Sequence, residues 1–268
     1  MPSPARAACF SYYALALAWP VSAPPTQGLP AESLAFQTTQ LRSPGLRPAE
    51  RLSEYVGRDF APLWTQTDAE AVVGFIGPHY QRLEIKVLTA TRSPADPAQY
   101  VLTGKTRVAG TVRAFSGALR LVHLRVASPR PRLGGGDDRL PVGAREGLVV
   151  GQYAFAEPTG QAKTGVFRGV VVTHWYVNGR GRLRYNDADL STSDGFANNQ
   201  FVGTWTDYAK GPALRCNWGD YRAPNAGPLD IGAGEFSPDA KYAPHSWQAY
   251  RTAGTAESKS PRPAAWWK

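Results

Sequence analysis

The sequence predicts an all-β protein, an antiparallel up-and-down meander of about eight to ten strands that closes into a barrel and follows a short helix. Three observations support this fold class. The 27 glycines and 23 prolines favour many turns and little helix. Apolar and polar residues alternate along several short segments, which is typical of half-buried strands. No helical periodicity separates these segments, and closure removes the edges that a long meander would expose. A sandwich is the alternative.

Residues 1–23 have the pattern of a signal peptide. Arg6 gives a minimal positive region, Ala14–Val21 is a short apolar segment, and the small residues around Ala23 favour cleavage after it. We therefore expect an exported protein, either periplasmic or extracellular; a buried N-terminal helix is the alternative. No later segment approaches about 18 consecutive apolar residues, so we expect no transmembrane segment.

The next segments lead into the barrel domain, which we place at residues 49–250. Residues 24–48 are a polar, proline-rich leader without periodicity, and we expect them to be disordered. Pro48–Phe60 predicts a short helix, with Pro48 near its first turn and Gly57 near its end. In the segment that follows, Leu83, Ile85 and Val87 alternate with charged residues, which predicts a strand with one buried face.

The strands follow one another with short turns. They are predicted at Ala71–Ile76, Gln81–Leu88, Gln99–Val108, Gly110–Phe115, Ala118–Val126, Leu148–Ala156, Gly165–Val177, Arg180–Leu190, Asn199–Tyr208 and Ala213–Asp220. Asn178-Gly179 is the strongest hairpin signal, because a type I′ turn needs a positive φ at both central positions. Residues 129–146 are polar and glycine-rich, which predicts a flexible loop, and residues 251–268 are predicted to be a disordered tail.

Charge and cysteine content exclude several classes of protein. The formal net charge is +9, but the basic residues are spread along the chain and do not form one stripe, so we expect no nucleic-acid partner. Cys9 lies in the predicted signal peptide, which leaves Cys216 alone in the mature chain without a disulfide partner. We expect Cys216 to be a small buried hydrophobe.

Carboxylates near the C-terminus raise the possibility of glycoside hydrolysis, which needs two carboxyl groups beside the scissile bond. The residues concerned are Asp207, Asp220, Asp230, Glu235 and Asp239, with Trp205, Tyr208, Trp218 and Tyr221 available for sugar stacking. The alternative is structural: Asp220 and Asp230 cap turns, and Asp220 pairs locally with Arg222.

No motif assigns a metal, a cofactor or a catalytic residue. Asp187 and Asp189 match the first and third positions of a calcium-binding EF-hand loop, but Thr192 and Asn198 stand where glycine and glutamate are required. The four histidines lack zinc-ligand spacing, and there is no G-x-S-x-G nucleophile motif. We therefore favour a non-enzymatic protein.

Five segments together resemble a family of uncharacterised exported bacterial proteins. They are "VVGFIGPHYQRLEIKV", "YVLTGKTRVAGTVRAFSGAL", "NQFVGTWTDY", "CNWGDYRAP" and "LDIGAGEFSP", which span about Val72 to Tyr250. The resemblance implies one exported β domain and no particular activity. Gly203-Thr204-Trp205 also resembles the G-x-W motif of the calycin superfamily, although in lipocalins that motif lies on the first strand and here it follows most of the strands.

We therefore predict an exported, calycin-like β-barrel that binds a small apolar or amphiphilic molecule in its interior. The predicted ligand-binding residues are Trp175, Tyr185, Trp205 and Trp218 as lining, with Asp220 and Arg222 near an opening. A filled core is the alternative to a pocket, because small barrels are commonly packed by their own side chains. Two other functions remain open: a carbohydrate-active hydrolase or lyase that uses the C-terminal carboxylates, and a solid-core envelope or interaction protein.

Overall fold

A computed structural model describes residues 28–128, 140, 144–191, 193–209, 211–253 and 265–268. The predicted signal peptide lies outside the described residues. So do most of the predicted loop at 129–146 and residues 254–264 of the predicted tail.

Eight antiparallel strands form a closed barrel, which confirms the predicted fold class. The described residues contain nine strands in all: β1 (Val72–Ile76), β2 (Gln81–Arg92), β3 (Gln99–Val108), β4 (Thr111–Val126), β5 (Arg145–Ala156), β6 (Gly165–Val177), β7 (Leu183–Tyr185), β8 (Asn198–Asp207) and β9 (Leu214–Asp220). They pair in the order β1-β2-β3-β4-β5-β6-β8-β9, and β9 pairs back with β1. The short strand β7 pairs with the end of β6.

Two strand predictions need correction. Gly110–Phe115 and Ala118–Val126 are one strand, β4, because Ser116 and Gly117 keep the register with β3 and Gly117 has no Cβ to clash with the backbone of β5. The strand predicted at 180–190 contains only β7, since a turn with positive φ at Gly181 precedes it and a turn at 186–190 follows.

The hairpin predicted at Asn178-Gly179 is present, but its turn type is different. The amide of Asn178 donates to the carbonyl of Arg182 (2.9 Å), so the loop is longer than two residues. Gly181 supplies the positive φ, at +71°. The side-chain oxygen of Asn178 accepts from the amides of Arg180 and Arg182, which favours this wider turn over the predicted type I′ turn.

The leader expected to be disordered contains helix α1 (Ala31–Leu41), which is a correction to that prediction. Its Phe36 packs on the outer face of β5, β6 and β8, and its Ser33 hydroxyl donates to the carbonyl of Val202 (2.7 Å). Sequence periodicity gave no sign of this helix because only Ser33 and Phe36 are buried along its length.

The helix predicted at Pro48–Phe60 is shorter in the structure. Helix α2 covers Leu52–Tyr55, and a separate helix, α3, covers Pro62–Thr65. Between them the chain turns at Arg58, whose amide donates to the carbonyl of Tyr55 (2.8 Å). This turn sends the side chains that follow it into one end of the barrel. A fourth helix, α4 (Gln248–Ala253), lies near the C-terminus, in part of the predicted tail.

The main core lies inside the barrel, and the two short helices close one end of it. Phe60 and Leu63 are completely buried there with Trp64 beside them. A second cluster covers the outside of β1, where Phe236 and Trp247 from the C-terminal segment pack on the strand. Within the described ranges, no helix has the length and apolar character needed to cross a bilayer.

Candidate functional site

The end of the barrel opposite α2 and α3 holds an open cavity of about 520 Å³, which we call the mouth cavity. The connections β1–β2, β3–β4, β5–β6 and β8–β9 surround it. Its apolar wall consists of Ile76, Val108, Phe167, Trp205 and Leu214. This volume lies within the range of about 300–1,000 Å³ that is typical of small-molecule sites.

Glu157 brings a carboxyl group into this apolar setting. It directly follows β5 and is only 5% exposed, yet it lines the mouth cavity. Its Oε2 accepts from the indole Nε1 of Trp205 (2.9 Å) and from the amide of Gly165 (3.0 Å). Its Oε1 accepts from the hydroxyl of Thr106 (3.2 Å). Strands β3, β6 and β8 therefore each hold this carboxyl group in place.

Local backbone geometry makes this arrangement possible. The amide of Glu157 donates to the carbonyl of Gly165 (2.9 Å), which closes the β5–β6 connection. A Cβ at Gly165 would clash with the carbonyl of Thr206 and press on the ring of Trp205. Glycine at this position therefore lets β6 and β8 approach closely enough for Trp205 to reach the carboxyl group.

The electrostatic environment of Glu157 is unusual for a buried acid. Burial raises its pKa, while the hydrogen bonds from Trp205, Gly165 and Thr106 and the charge of Arg113 act in the opposite direction. No lysine, arginine or histidine in the described part of the chain forms a salt bridge with it. Within the described ranges, the hydrogen bonds to this carboxyl group come from neutral donors.

The rim of the mouth cavity carries charges of both signs. Arg113, Lys163 and Asp207 all line it, together with His79. Arg113 donates to the carbonyl of Ala162 (2.7 Å), so its guanidinium is tied to the β5–β6 connection. Two cations and one anion therefore lie at the rim, and the buried charge is that of Glu157.

Beneath the cavity the barrel is filled. Phe167 pairs with Trp205 across β6 and β8, and the next inward pair is Gly169 with Gly203. The two glycines make room for the hydroxyl of Tyr153, since a Cβ at Gly203 would lie 2.5 Å from that oxygen. The hydroxyl is buried and has no hydrogen-bond partner among the described residues.

The neighbouring residues continue this filled layer. Cys216 pairs with Gly203 and is completely buried, and burial raises the pKa of its thiol well above the ordinary value. The prediction of a small buried hydrophobe at Cys216 is therefore confirmed. Farther inward, the rings of Phe201 and Trp218 stack with their centroids 4.6 Å apart.

A second buried carboxyl group, Asp220, lies at the closed end. Its Oδ2 accepts from the hydroxyls of Thr67 (2.9 Å) and Tyr185 (3.0 Å) and from Nδ2 of Asn199 (2.7 Å). Asn199 also donates to the carbonyl of Leu63 in α3 (2.7 Å). Burial raises the pKa of Asp220 to about 7, although these hydrogen bonds and the charge of Lys86 oppose the shift. This network fastens α3 to the barrel.

The six residues predicted to bind ligand do not meet in one place. Trp205 lines the mouth cavity, whereas Trp175 and Trp218 are packed in the core. Tyr185 and Asp220 belong to the network at the closed end. Arg222 lies outside this core, where it forms a salt bridge with Asp230 (2.7 Å) and donates to two backbone carbonyls.

The predicted C-terminal carboxylates are likewise dispersed. Asp207 lies at the rim of the mouth cavity and Asp220 at the opposite end. Asp230 accepts from two backbone amides, as a turn cap does, and it is the partner of Arg222; the predicted pairing of Asp220 with Arg222 is wrong. Asp239 accepts from the amide at the start of a 3₁₀ turn. In the described residues, no group of three or more His, Cys, Asp and Glu side chains is arranged to hold a metal ion.

Glu157, the central polar residue of the cavity, was not among the predicted site residues. A signal for it exists in the sequence, because Tyr153, Phe155 and Glu157 follow the two-residue period that places them on the same, inward face. A carboxylate on the inward face at the end of a buried strand is unusual enough to mark a site.

Comparisons of the chain with protein-family models, with curated proteins and with solved structures find no match. The resemblances to exported bacterial proteins and to calycins therefore stay predictions from the sequence. The structure defines the class of molecule: a closed eight-stranded barrel with one end filled by short helices and an open cavity at the other.

Proposed function

We propose that this protein is an exported, non-enzymatic barrel that binds a small apolar or amphiphilic molecule in its mouth cavity. The observation that carries the proposal is a cavity of about 520 Å³ whose apolar wall surrounds a single buried carboxyl group. Apolar surface removed from water contributes roughly 25 cal/mol per Å². One or two polar groups then set the orientation of the ligand.

The proposed ligand site is the mouth and not the whole interior. The layers below Phe167 and Trp205 are occupied by the ring of Tyr153 and by the stacked rings of Phe201 and Trp218. Of the residues predicted from the sequence, Trp205 is the one that supports this location directly. Export is proposed from the signal-peptide pattern of residues 1–23.

Blocking the mouth with a bulky side chain tests the proposal. Thr111 is exposed on β4 and lines the cavity, so Thr111→Trp places an indole in it without disturbing the core. We expect residues 24–268 to bind the neutral fluorophore N-phenyl-1-naphthylamine, and Thr111→Trp to weaken that binding at least about tenfold, which corresponds to about 1.4 kcal/mol.

The matched control is Thr91→Trp, which introduces the same side chain at an exposed threonine of β2. This variant should bind the fluorophore as the unmodified protein does. Equal binding by the unmodified protein and both variants would place the site elsewhere, and absence of binding by the unmodified protein would contradict the proposal itself.

A further inference from the structure

The acceptor capacity of Glu157 is not exhausted by its neighbours. An ionised carboxylate can accept about four hydrogen bonds. Oε2 accepts two within the protein, from Trp205 and Gly165, and Oε1 accepts one, from Thr106. Since Glu157 lines the mouth cavity, the remaining capacity is available to a ligand.

Among the described residues, no cation forms a salt bridge with Glu157, and Arg113 acts on it only at longer range. Its three donors are an indole, an amide and a hydroxyl, all of them neutral. A buried carboxylate without a paired cation is costly to ionise, and a cation that entered the cavity would offset that cost. A ligand with a positive charge therefore gains more from this site than a neutral one of the same shape.

The wall around the carboxyl group suits an organic cation. Phe167 and Trp205 are neighbours across β6 and β8 and both line the cavity. Aromatic faces attract ammonium groups, and the attraction is larger where water is excluded. The aliphatic side chains of Ile76, Val108 and Leu214 can cover an apolar tail.

The rim charges do not cancel this preference. Arg113 and Lys163 lie at the rim with Asp207, where water and salt screen them. Glu157 is buried, so its interaction with a bound charge is stronger than theirs. An anionic ligand would be limited to the screened contacts with the two rim cations.

We propose that the mouth cavity selects amphiphilic amines, whose ammonium group binds the carboxylate of Glu157 while the apolar tail lies against the wall. This inference rests on the proposed function, because it names the ligand class of the same cavity.

The test compares three ligands that share one apolar tail: n-octylamine, n-octanol and n-octanoate. Each ligand competes with N-phenyl-1-naphthylamine for residues 24–268 at neutral pH, and displacement of the fluorophore measures the affinity of the ligand. We expect n-octylamine to bind about ten- to a hundredfold more tightly than n-octanol, which is the range for a hydrogen bond to a charged group. In Glu157→Gln, which keeps the shape of the side chain, the amine should lose this advantage, so that the ratio of its affinity to that of n-octanol falls to about one.

A pH titration of the unmodified protein provides a second test that needs no variant. Burial raises the pKa of Glu157, so acidification that protonates it should lower the affinity for n-octylamine while the affinity for n-octanol stays constant. The titratable and charged groups that face Glu157 from the surrounding elements are His79, Arg113, Lys163, Asp207, Tyr208 and Cys216. These groups are all still present in Glu157→Gln, so any pH dependence that they cause would remain in this variant. We expect instead that the affinity of Glu157→Gln for n-octylamine does not change with pH.

The outcomes separate the two proposals. Equal affinity for the amine and the alcohol, tightest binding of n-octanoate, or an amine preference that survives both Glu157→Gln and acidification would overturn the amine inference and leave the binding function standing. If neither the fluorophore nor any of the three ligands binds, the proposed function falls and the inference falls with it.

Discussion

The two ends of the barrel are built around the same chemical group and use it differently. At the closed end Asp220 accepts three hydrogen bonds, and at the mouth Glu157 also accepts three. Burial raises the pKa of both carboxyl groups. The donors to Asp220 include Thr67, which follows α3, whereas the donors to Glu157 in the described part of the chain all lie in barrel strands.

This difference shows that burial and a shifted pKa do not by themselves identify a functional site. Asp220 is buried by the groups that fasten α3, and it does not line the polar cavity of about 520 Å³ beside Thr67 and Tyr185, so its hydrogen bonds serve the fold. Glu157 has the same kind of donors on one side and an open cavity on the other. The surroundings of the carboxyl group, and not its ionisation alone, distinguish a structural role from a binding role.

The largest expected effect distinguishes the two ends by their packing. Leu63 is completely buried at the closed end, whereas Leu214 is half-buried in the wall of the mouth cavity. Leu63→Ala should lower the free energy of unfolding by about 2–5 kcal/mol, because it leaves a hole in a filled core. Leu214→Ala should lower it by about 1 kcal/mol or less, since the cavity beside it already exists. Urea unfolding of both variants measures the difference, and similar losses would contradict the distinction between a filled and an open end.

The next effect concerns the pH dependence of stability at the closed end. Asp220 keeps its proton up to about pH 7 in the folded protein, whereas the unfolded chain releases it near 3.8. The unfolded state therefore binds fewer protons between these values, and the free energy of unfolding falls as pH rises through this window. The shift of about three pKa units corresponds to about 4 kcal/mol.

Asp220→Asn supplies the reference for this measurement, because asparagine resembles the protonated acid at every pH. The unmodified protein should lose up to about 4 kcal/mol relative to Asp220→Asn between about pH 4 and about pH 8. Glu157 is present in both proteins, so its own contribution cancels. Parallel stability curves would show that burial does not raise the pKa of Asp220 in the folded protein, which would contradict this prediction.

The smallest effect comes from one substitution made at two tyrosines. The hydroxyl of Tyr185 donates to Asp220, so Tyr185→Phe should cost about 1–3 kcal/mol, the range for a hydrogen bond to a charged or buried partner. The hydroxyl of Tyr153 has no partner in the described part of the chain, so Tyr153→Phe should leave stability unchanged or raise it by about 1 kcal/mol. Thermal and urea unfolding measure both changes, and a larger loss from Tyr153→Phe than from Tyr185→Phe would reverse this order.

Much of the barrel could be predicted from the sequence because strand alternation is a local property. Leu83, Ile85 and Val87 mark a strand without reference to any other part of the chain. The helix at 31–41 could not be found in this way, since it buries only Ser33 and Phe36 and depends on the outer face of the finished barrel.

The site was harder to predict because it depends on which strand ends meet. Glu157 acquires its donors from Thr106 and Trp205, which are 51 and 48 residues away along the chain. Arg222 was expected beside Asp220, but the turn that begins at Asp230 presents a nearer carboxylate. Aromatic residues such as Trp175 and Trp218 suggested a pocket, and in the closed barrel they fill the core.

A crystal structure of residues 24–268 with n-octylamine tests most directly whether the mouth is a binding site. We expect the ligand in the mouth cavity, with its nitrogen within hydrogen-bond distance of the Glu157 carboxylate and its tail against Phe167 and Leu214. A ligand bound at the closed end beside Tyr185, or in the mouth with its nitrogen turned away from Glu157, would contradict the assignment of a structural role to one end and a binding role to the other.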